Sequence, residues 1–148
     1  MRVSAKGRYA LAAMIHMAQN YAAGEPITVI RISESLGISK IYLEQVFSLL
    51  KRSKIVTSVK GAQGGYQLAR MPRQITVLDV LFAVELSLFE KAENTVPEKA
   101  PAIEAVIRSS AFDVLDQAIK SALEKITLED LVAEAERYQS DSAPMFYI

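Results

Sequence analysis

The sequence predicts a mainly α-helical fold with a small β-hairpin wing: a winged helix-turn-helix plus a long C-terminal dimerisation helix. Three observations carry this prediction. Two short amphipathic helices are separated by a glycine, a glycine-rich hairpin follows them, and a long apolar helical stretch lies near the C-terminus. The 148 residues, 51% of them hydrophobic, suffice for one packed domain with an appended element.

The helix-turn-helix is predicted within residues 28–52. Thr28 is a suitable N-cap for the first helix, and Gly37 can supply the positive φ that commonly ends one. Ser39 then caps a second helix, whose apolar side chains have the i, i+3, i+4, i+7 spacing of a buried stripe: Leu43, Val46, Phe47 and Leu50. We expect the opposite, polar face of this helix to meet base edges in a major groove.

A hairpin is predicted directly after this unit. The alternating residues 55–60 predict one strand, residues 61–65 contain three glycines and predict the turn, and residues 66–68 predict the returning strand. A tip with so few Cβ atoms can lie close to a phosphate or in a narrow groove. An ordinary hairpin, in which glycine serves only the turn, is the alternative. The flanking cations Lys60 and Arg70 favour the DNA-binding interpretation.

The formal net charge of zero conceals an asymmetry between the two halves of the chain. Residues 1–73 contain 11 lysines and arginines against 3 glutamates, a net charge of +8, and the remainder therefore carries −8. A basic N-terminal half can displace counterions from phosphates, and an acidic C-terminal half cannot. An even spread of the positive charges over a solvated surface is the alternative, and the sequence leaves it open.

Several function classes are disfavoured by what the chain lacks. It has no cysteine, which excludes disulfides, thiolate-held iron–sulfur clusters and cysteine-based redox sensing. Its single histidine, His16, lies in an apolar helical run and is expected to pack rather than to bind a metal. No catalytic motif is recognisable, so we expect neither an enzyme nor a cofactor. No apolar run could cross a bilayer, and we expect a cytoplasmic protein without membrane contact.

The rest of the chain predicts a dimerisation region. Thr76 caps a predicted helix over residues 77–88, which completes a DNA-binding domain at residues 1–89, and residues 90–100 predict a mobile linker. From Pro101 apolar residues recur about every four positions in a helix of about 25 residues, longer than so small a domain needs for its own core. We expect a homodimer through residues 101–138, with an interface that includes Ile103, Val106, Ile107, Val114, Leu115, Ile119 and Leu123.

One alternative concerns this region. The long helix can instead fold entirely against its own domain. A short last helix is predicted from Leu128 to about Arg137, and residues 139–148 are predicted to form a C-terminal tail.

Four motifs resemble the Rrf2 family of bacterial transcription regulators. They are SAKGRYA at residues 4–10, SKIYLEQ at 39–45, SVKGAQGGYQLAR at 58–70 and ITVLDV at 75–80. The wing motif is the distinctive one, since a bare helix-turn-helix is common. The resemblance implies a dimer in which long C-terminal helices cross, each second helix enters a major groove of double-stranded DNA, and each wing enters the adjacent minor groove.

Carried over position by position, the resemblance implies DNA contacts from both elements. The candidates in the second helix are Ser39, Lys40, Tyr42, Glu44 and Gln45, and those in the wing are Ser58, Lys60, Gly61, Gln63, Gly64 and Gly65. A glutamate can accept from the amino group of cytosine, a glutamine can pair with adenine, and lysine and serine suit phosphate or groove contacts. For Tyr42 and Tyr66 a structural role is an equal alternative.

One departure from the family pattern bears on the signal that the protein senses. Cluster-binding members carry cysteines in the stretch that matches about residues 90–108, and this chain has none there. It resembles a cluster-free branch that represses cysteine metabolism together with cysteine synthase, an enzyme whose partners commonly insert a terminal isoleucine into its active site. The resemblance implies that the tail residues Phe146, Tyr147 and Ile148 bind cysteine synthase. A tail folded back on its own dimer is the alternative.

These observations together predict a sequence-specific repressor that binds a pseudo-palindromic operator as a homodimer. The competing interpretation is a winged-helix module that binds protein or RNA without operator specificity.

Overall fold

The computed structural model describes residues 2–142 and confirms the winged helix-turn-helix with its hairpin and its C-terminal helices. The N-terminal part contains α1 (Ala5–Gln19), α2 (Val29–Leu36), α3 (Lys40–Arg52), the antiparallel strands β1 (Val56–Val59) and β2 (Gly65–Leu68), and α4 (Val77–Val84). The C-terminal part contains α5 (Pro101–Val106), a π-helical segment (Ile107–Phe112), α6 (Asp113–Glu124) and α7 (Leu128–Ser142). Short 3₁₀ turns occupy Tyr21–Ala23 and Pro72–Gln74. The predicted tail contacts Phe146, Tyr147 and Ile148 lie outside the described residues.

The turn between α2 and α3 is held by the caps that the sequence predicts. Thr28 Oγ1 accepts from the backbone N–H of Arg31 at 3.1 Å, and Gly37 ends α2 with φ of 67°. Ser39 Oγ accepts from the N–H of Tyr42 at 3.5 Å. Each N-cap satisfies a backbone donor that the helix itself leaves unpaired, which typically contributes about 1 kcal/mol. The start of α3 is therefore determined by local residues.

The hydrophobic core lies between α1, α3, α4 and the start of α7. All four apolar residues of the predicted α3 stripe are buried, and Met14 of α1 and Ile75 before α4 are fully buried beside them. Burying each large apolar side chain contributes about 1.5–3 kcal/mol. The exposed face of α3 is consequently the one opposite this stripe.

The wing is attached to the rest of the domain through Ile27, which pairs with Tyr66 of β2 as a single residue of a third strand would. Ile27 donates to the carbonyl of Tyr66 at 2.9 Å and accepts from its N–H at 2.8 Å. The ring of Tyr66 packs on Phe47 with a centroid distance of 4.7 Å. Tyr66 is therefore half-buried between wing and α3, which favours its structural role over a DNA contact.

The helix after the wing is shorter than the sequence predicts. The periodicity predicts residues 77–88, but α4 ends at Val84. The next residue, Glu85, is buried and accepts hydrogen bonds from both the backbone N–H and the hydroxyl of Ser4, just before α1. A carboxylate is stabilised at a helix N-terminus, where the N–H groups and the macrodipole are positive. The contact with Ser4 holds Glu85 outside a further turn of α4.

The predicted mobile linker, residues 90–100, is held by side chains of the helix that follows it. The buried carboxylate of Glu104 accepts from the N–H groups of residues 95 and 96, both at 2.8 Å. Arg108 donates to the carbonyl oxygen of residue 92 at 3.1 Å. The absence of helical periodicity correctly indicated irregular backbone. These hydrogen bonds hold parts of the segment, and its mobility stays a prediction.

Residues 101–124 form one long helical rod in which the π-helical segment joins α5 to α6. Its length of about 36 Å agrees with the predicted extent. Towards its C-terminal end, Lys120 Nζ lies 5.2 Å from the ring centroid of Phe89, and this ring stacks on Phe82 of α4 with a centroid distance of 5.6 Å. Even so, no residue from 105 to 126 is buried within the single chain. None of the described helices is long and apolar enough to span a membrane.

The last helix differs from the prediction in both length and position. The sequence predicts an end near Arg137 and places the helix in the dimerisation region, but α7 continues to Ser142 and its first residue, Leu128, is fully buried in the core. Leu128 N–H also donates to the carbonyl of Ile75 at 2.9 Å. The helix α7 therefore completes the core of the N-terminal domain.

Candidate nucleic-acid interface

The exposed face of α3 is polar over most of its length. Opposite the buried stripe, the solvent-exposed residues are Ile41, Gln45, Ser48 and Arg52, flanked by Lys40, Glu44 and Lys51. Among the predicted contacts in this helix, Lys40, Glu44 and Gln45 are thus all accessible from one side. Lys51 is additional to the residues that the sequence predicts for this face. The helical periodicity that identified the buried stripe also places Ile41 and Arg52 on the opposite face.

Glu44 is held only weakly by its neighbour. Lys40 Nζ lies 3.7 Å from Glu44 Oε1, and the two side chains are 52% and 55% exposed. An exposed pair of this i,i+4 type contributes about 0.3–0.5 kcal/mol. A base amino group can therefore replace the lysine as partner of the carboxylate at little cost.

The two remaining candidates of the second helix have structural roles. Ser39 caps α3, although its exposed hydroxyl can still donate to a phosphate. Tyr42 is half-buried, and its ring meets the ring of Tyr9 edge-on at 5.0 Å. This geometry favours the structural alternative for Tyr42, because the ring fixes the first turn of α3 against α1.

The tip of the wing is cationic and open to solvent. Ser58 on β1 and the tip residues Lys60, Gly61 and Gln63 are all exposed. The strand register pairs Val59 with Gly65, so the residues between them form the loop. The predicted wing contacts at these four positions are therefore placed where a groove or a phosphate can reach them.

The three wing glycines do not have the same role. Gly61 has φ of 109° and nothing lies within 4 Å of where its Cβ would be. At Gly65, with φ of 148°, a Cβ would lie 2.5 Å from the carbonyl oxygen of Ile27, and at Gly64 it would meet the carbonyl of Val59. Internal packing thus requires glycine at positions 64 and 65, and only Gly61 leaves a bare backbone for a ligand to approach.

Arg70, one of the two cations that flank the wing, is engaged internally. Its guanidinium donates to the carbonyl of Lys54 and to Asp79 Oδ2, each at 3.4 Å. Asp79 in turn accepts from the N–H of Thr76, which caps α4. Arg70 therefore braces the base of the wing against α4, and Lys60 is the flanking cation that points to solvent.

His16 is a partly buried residue of α1. Burial lowers the pKa of its imidazole, and the nearby charge of Arg31 lowers it further. The neutral form is therefore favoured at neutral pH. Within residues 2–142 no group of three or more histidine or acidic side chains is arranged to hold a metal ion.

The fold and this surface define a class of protein. A helix-turn-helix with an exposed polar second helix, followed by a cationic hairpin, is the architecture of a winged-helix DNA-binding regulator. Residues 3–134 match the model of the Rrf2 family, described as iron-dependent transcriptional regulators. The chain belongs to the Rrf2 family.

Relatives of known identity agree with this assignment. The transcriptional regulator CymR of Bacillus subtilis strain 168 is 37% identical over 150 residues, which cover 100% of both chains. The solved structure of CymR, described as the global cysteine regulator of B. subtilis, superposes with a TM-score of 0.71 at 33% identity over 90% of this chain and 98% of that one. IscR of T. potens gives 0.73 at 33% identity over 99% and 95%. These relatives are transcription regulators, which confirms that the chain is a regulator and not an enzyme.

The residues present do not fit the iron centre that the family description implies. Thiolates are the usual ligands of an iron–sulfur cluster, and the sequence has no cysteine. In the stretch where cluster-binding members carry cysteines, the buried carboxylate is Glu104, and it is already bound to two backbone N–H groups and to Arg108. The chain therefore does not offer the donor set for a thiolate-held cluster.

Proposed function

We propose that this protein is a homodimeric repressor that binds a pseudo-palindromic operator through α3 and the tip of the wing. The observation that carries the proposal is the outward polar face of α3, whose side chains have the donors and acceptors that base edges require. Gln45 suits adenine, Glu44 suits the amino group of cytosine, and Lys60 suits a phosphate. Ser58, Gly61 and Gln63 are the further wing contacts in this proposal.

The proposed dimer rests on the long helix. Ile103, Val106, Val114 and Leu115 are each more than half exposed in the single chain, and Ile107, Ile119 and Leu123 are only partly buried. An apolar surface of this extent along one rod is typical of an interface. A second copy of the same helix is the partner that supplies an equal length and an equal apolar surface. The two DNA-binding domains of one dimer can then contact two half-sites.

We further propose that the regulated process is cysteine or sulfur metabolism. Full-length similarity to CymR supports this proposal, since that relative is described as a global cysteine regulator. Without thiolates for a cluster, the signal must reach the protein through a small molecule or a partner protein. The proposed partner is cysteine synthase. In this proposal the enzyme binds the C-terminal tail of this chain through the tail residues Phe146, Tyr147 and Ile148.

A salt titration tests the DNA-binding proposal. The protein should prefer an operator-containing duplex over random duplex by about 10³-fold or more, and its affinity should fall steeply with salt. Lys60→Ala should weaken binding to all duplexes alike and reduce the salt slope by about one, whereas Glu44→Ala should relax the preference at one base pair. Lys91→Ala, at an exposed lysine of the linker, is the matched control and should change neither. Equal affinity for every duplex would instead support a protein- or RNA-binding module.

The partner proposal has its own experiment. Deleting Ile148 should abolish binding to purified cysteine synthase while operator binding by the free dimer is unchanged. Binding that survives the deletion would refute the tail mechanism and leave the DNA-binding proposal intact.

A further inference from the structure

Ile41 is the one large apolar side chain on the exposed, otherwise polar face of α3. It is 70% exposed and does not belong to the hydrophobic core or to the partly buried residues packed against it. Single exposed apolar residues are common on protein surfaces, so exposure alone carries no function. The position of Ile41 is what suggests a function, because the same face of α3 carries Gln45 one turn later and Ser48 beyond it.

The position of Ile41 along the helix matches the part that reads bases. It is the second residue of α3, and the N-terminal residues of a recognition helix are those that contact base edges. One helical turn advances about 5.4 Å, and successive base pairs are about 3.4 Å apart. Ile41 and Gln45 can therefore face base pairs one or two steps apart in the same groove.

The chemistry of the side chain restricts what it can recognise. An isoleucine offers no hydrogen-bond donor or acceptor, and a base amino or carbonyl group placed against it would lose its water without gaining a partner. The C5-methyl group of thymine is the apolar group that the major groove presents. We propose, on the basis of the DNA-binding function proposed above, that Ile41 selects a thymine in each half-site by contact with this methyl group.

Thymine-to-uracil replacement tests the contact, because it removes the methyl group and leaves base pairing intact. The probe is the tightest-binding duplex of about 30 base pairs selected from a random-sequence library, with each thymine replaced singly by deoxyuridine. The wild-type protein should lose about fourfold in affinity at one thymine of each half-site, the size expected for one buried methyl group. Ile41→Ala should lose this sensitivity to uracil, and Ile41→Val should retain it.

Ile30→Ala is the matched control, since Ile30 is an isoleucine on α2 that is 52% exposed. This variant should keep the full uracil penalty. A wild-type protein that tolerates uracil at every thymine would overturn the inference, and so would an Ile41→Ala variant with an undiminished penalty. If the library yields no preferred duplex at all, the DNA-binding proposal itself fails. An operator preference without a uracil effect refutes only the role of Ile41.

Discussion

Replacing Gly65 with alanine is expected to destabilise the wing and the start of α2 together. The new Cβ would lie 2.5 Å and 2.6 Å from the carbonyl oxygen and carbon of Ile27, and 2.9 Å from the nitrogen of Thr28. Ordinary contacts to carbon begin near about 3.5 Å, so this backbone must retreat by roughly 1 Å. The retreat stretches the paired hydrogen bonds between Ile27 and Tyr66, now 2.9 Å and 2.8 Å long.

The magnitude follows from these contacts. A non-glycine residue at φ of 148° is strained by about 1–3 kcal/mol, and each weakened backbone hydrogen bond costs about 0.5–1.5 kcal/mol. We expect the free energy of unfolding to fall by about 3 kcal/mol, out of a typical total of about 5–15 kcal/mol. In a urea titration, with a slope of about 2 kcal/mol/M, the midpoint should drop by about 1.5 M.

Gly61→Ala is the matched control for this experiment. Its Cβ would meet nothing within 4 Å, so only the strain at φ of 109° remains. With strain of about 1–2 kcal/mol and no weakened hydrogen bond, the midpoint should drop by about 0.5–1 M at the same protein concentration. A Gly65→Ala variant as stable as wild type, or less affected than Gly61→Ala, would refute the assignment of Gly65 to internal packing.

Three further predictions concern the dimer, the linker and pH. Leu115→Asp should convert the proposed dimer to a 16.3 kDa monomer in sedimentation equilibrium, because it places a charge in the proposed interface, at a position where the side chain is 56% exposed in the single chain. Glu104→Ala should speed amide hydrogen exchange at residues 95 and 96 by about tenfold or more, since their charged acceptor is lost. His16, with its lowered pKa, binds fewer protons in the folded than in the unfolded state, so stability should fall as pH drops below its ordinary value of 6.5. His16→Gln should reduce this fall in urea midpoint.

Each of these predictions has a result that would contradict it. A dimeric Leu115→Asp, or a control Gln117→Asp that is equally monomeric, would remove the long helix from the proposed interface. If amide exchange at residues 95 and 96 is as fast in the exposed control Glu98→Ala as in Glu104→Ala, these two N–H groups are not held specifically by Glu104. A decline below pH 6.5 that is the same in His16→Gln would assign the pH dependence to carboxylates instead.

Most of the winged helix was predictable because its signals are local. The caps at Thr28 and Ser39, the glycine at Gly37 and the apolar stripe of α3 all act within about one to three turns of the chain. The exposed face of α3 followed from the same periodicity. Confirmation extends to the fold and to membership of the family, while the individual DNA contacts remain predictions.

The differences arise where distant residues decide the structure. Glu104 binds two N–H groups of the linker, and a sequence pattern cannot assign its buried carboxylate to those particular groups. The ring of Tyr42 packs against Tyr9, and the guanidinium of Arg70 is paired with Asp79. Helix α7 was misplaced for the same reason, since the partner of Leu128 at its start is Ile75, on the far side of the long helix in sequence.

The burial of Leu128 also determines when the molecule becomes functional during its synthesis. A nascent chain that ends before α7 leaves uncovered the part of the core that this residue fills, so residues 1–89 alone should expose apolar surface and aggregate. The N-terminal domain therefore cannot complete its core until the chain has been synthesised beyond residue 128.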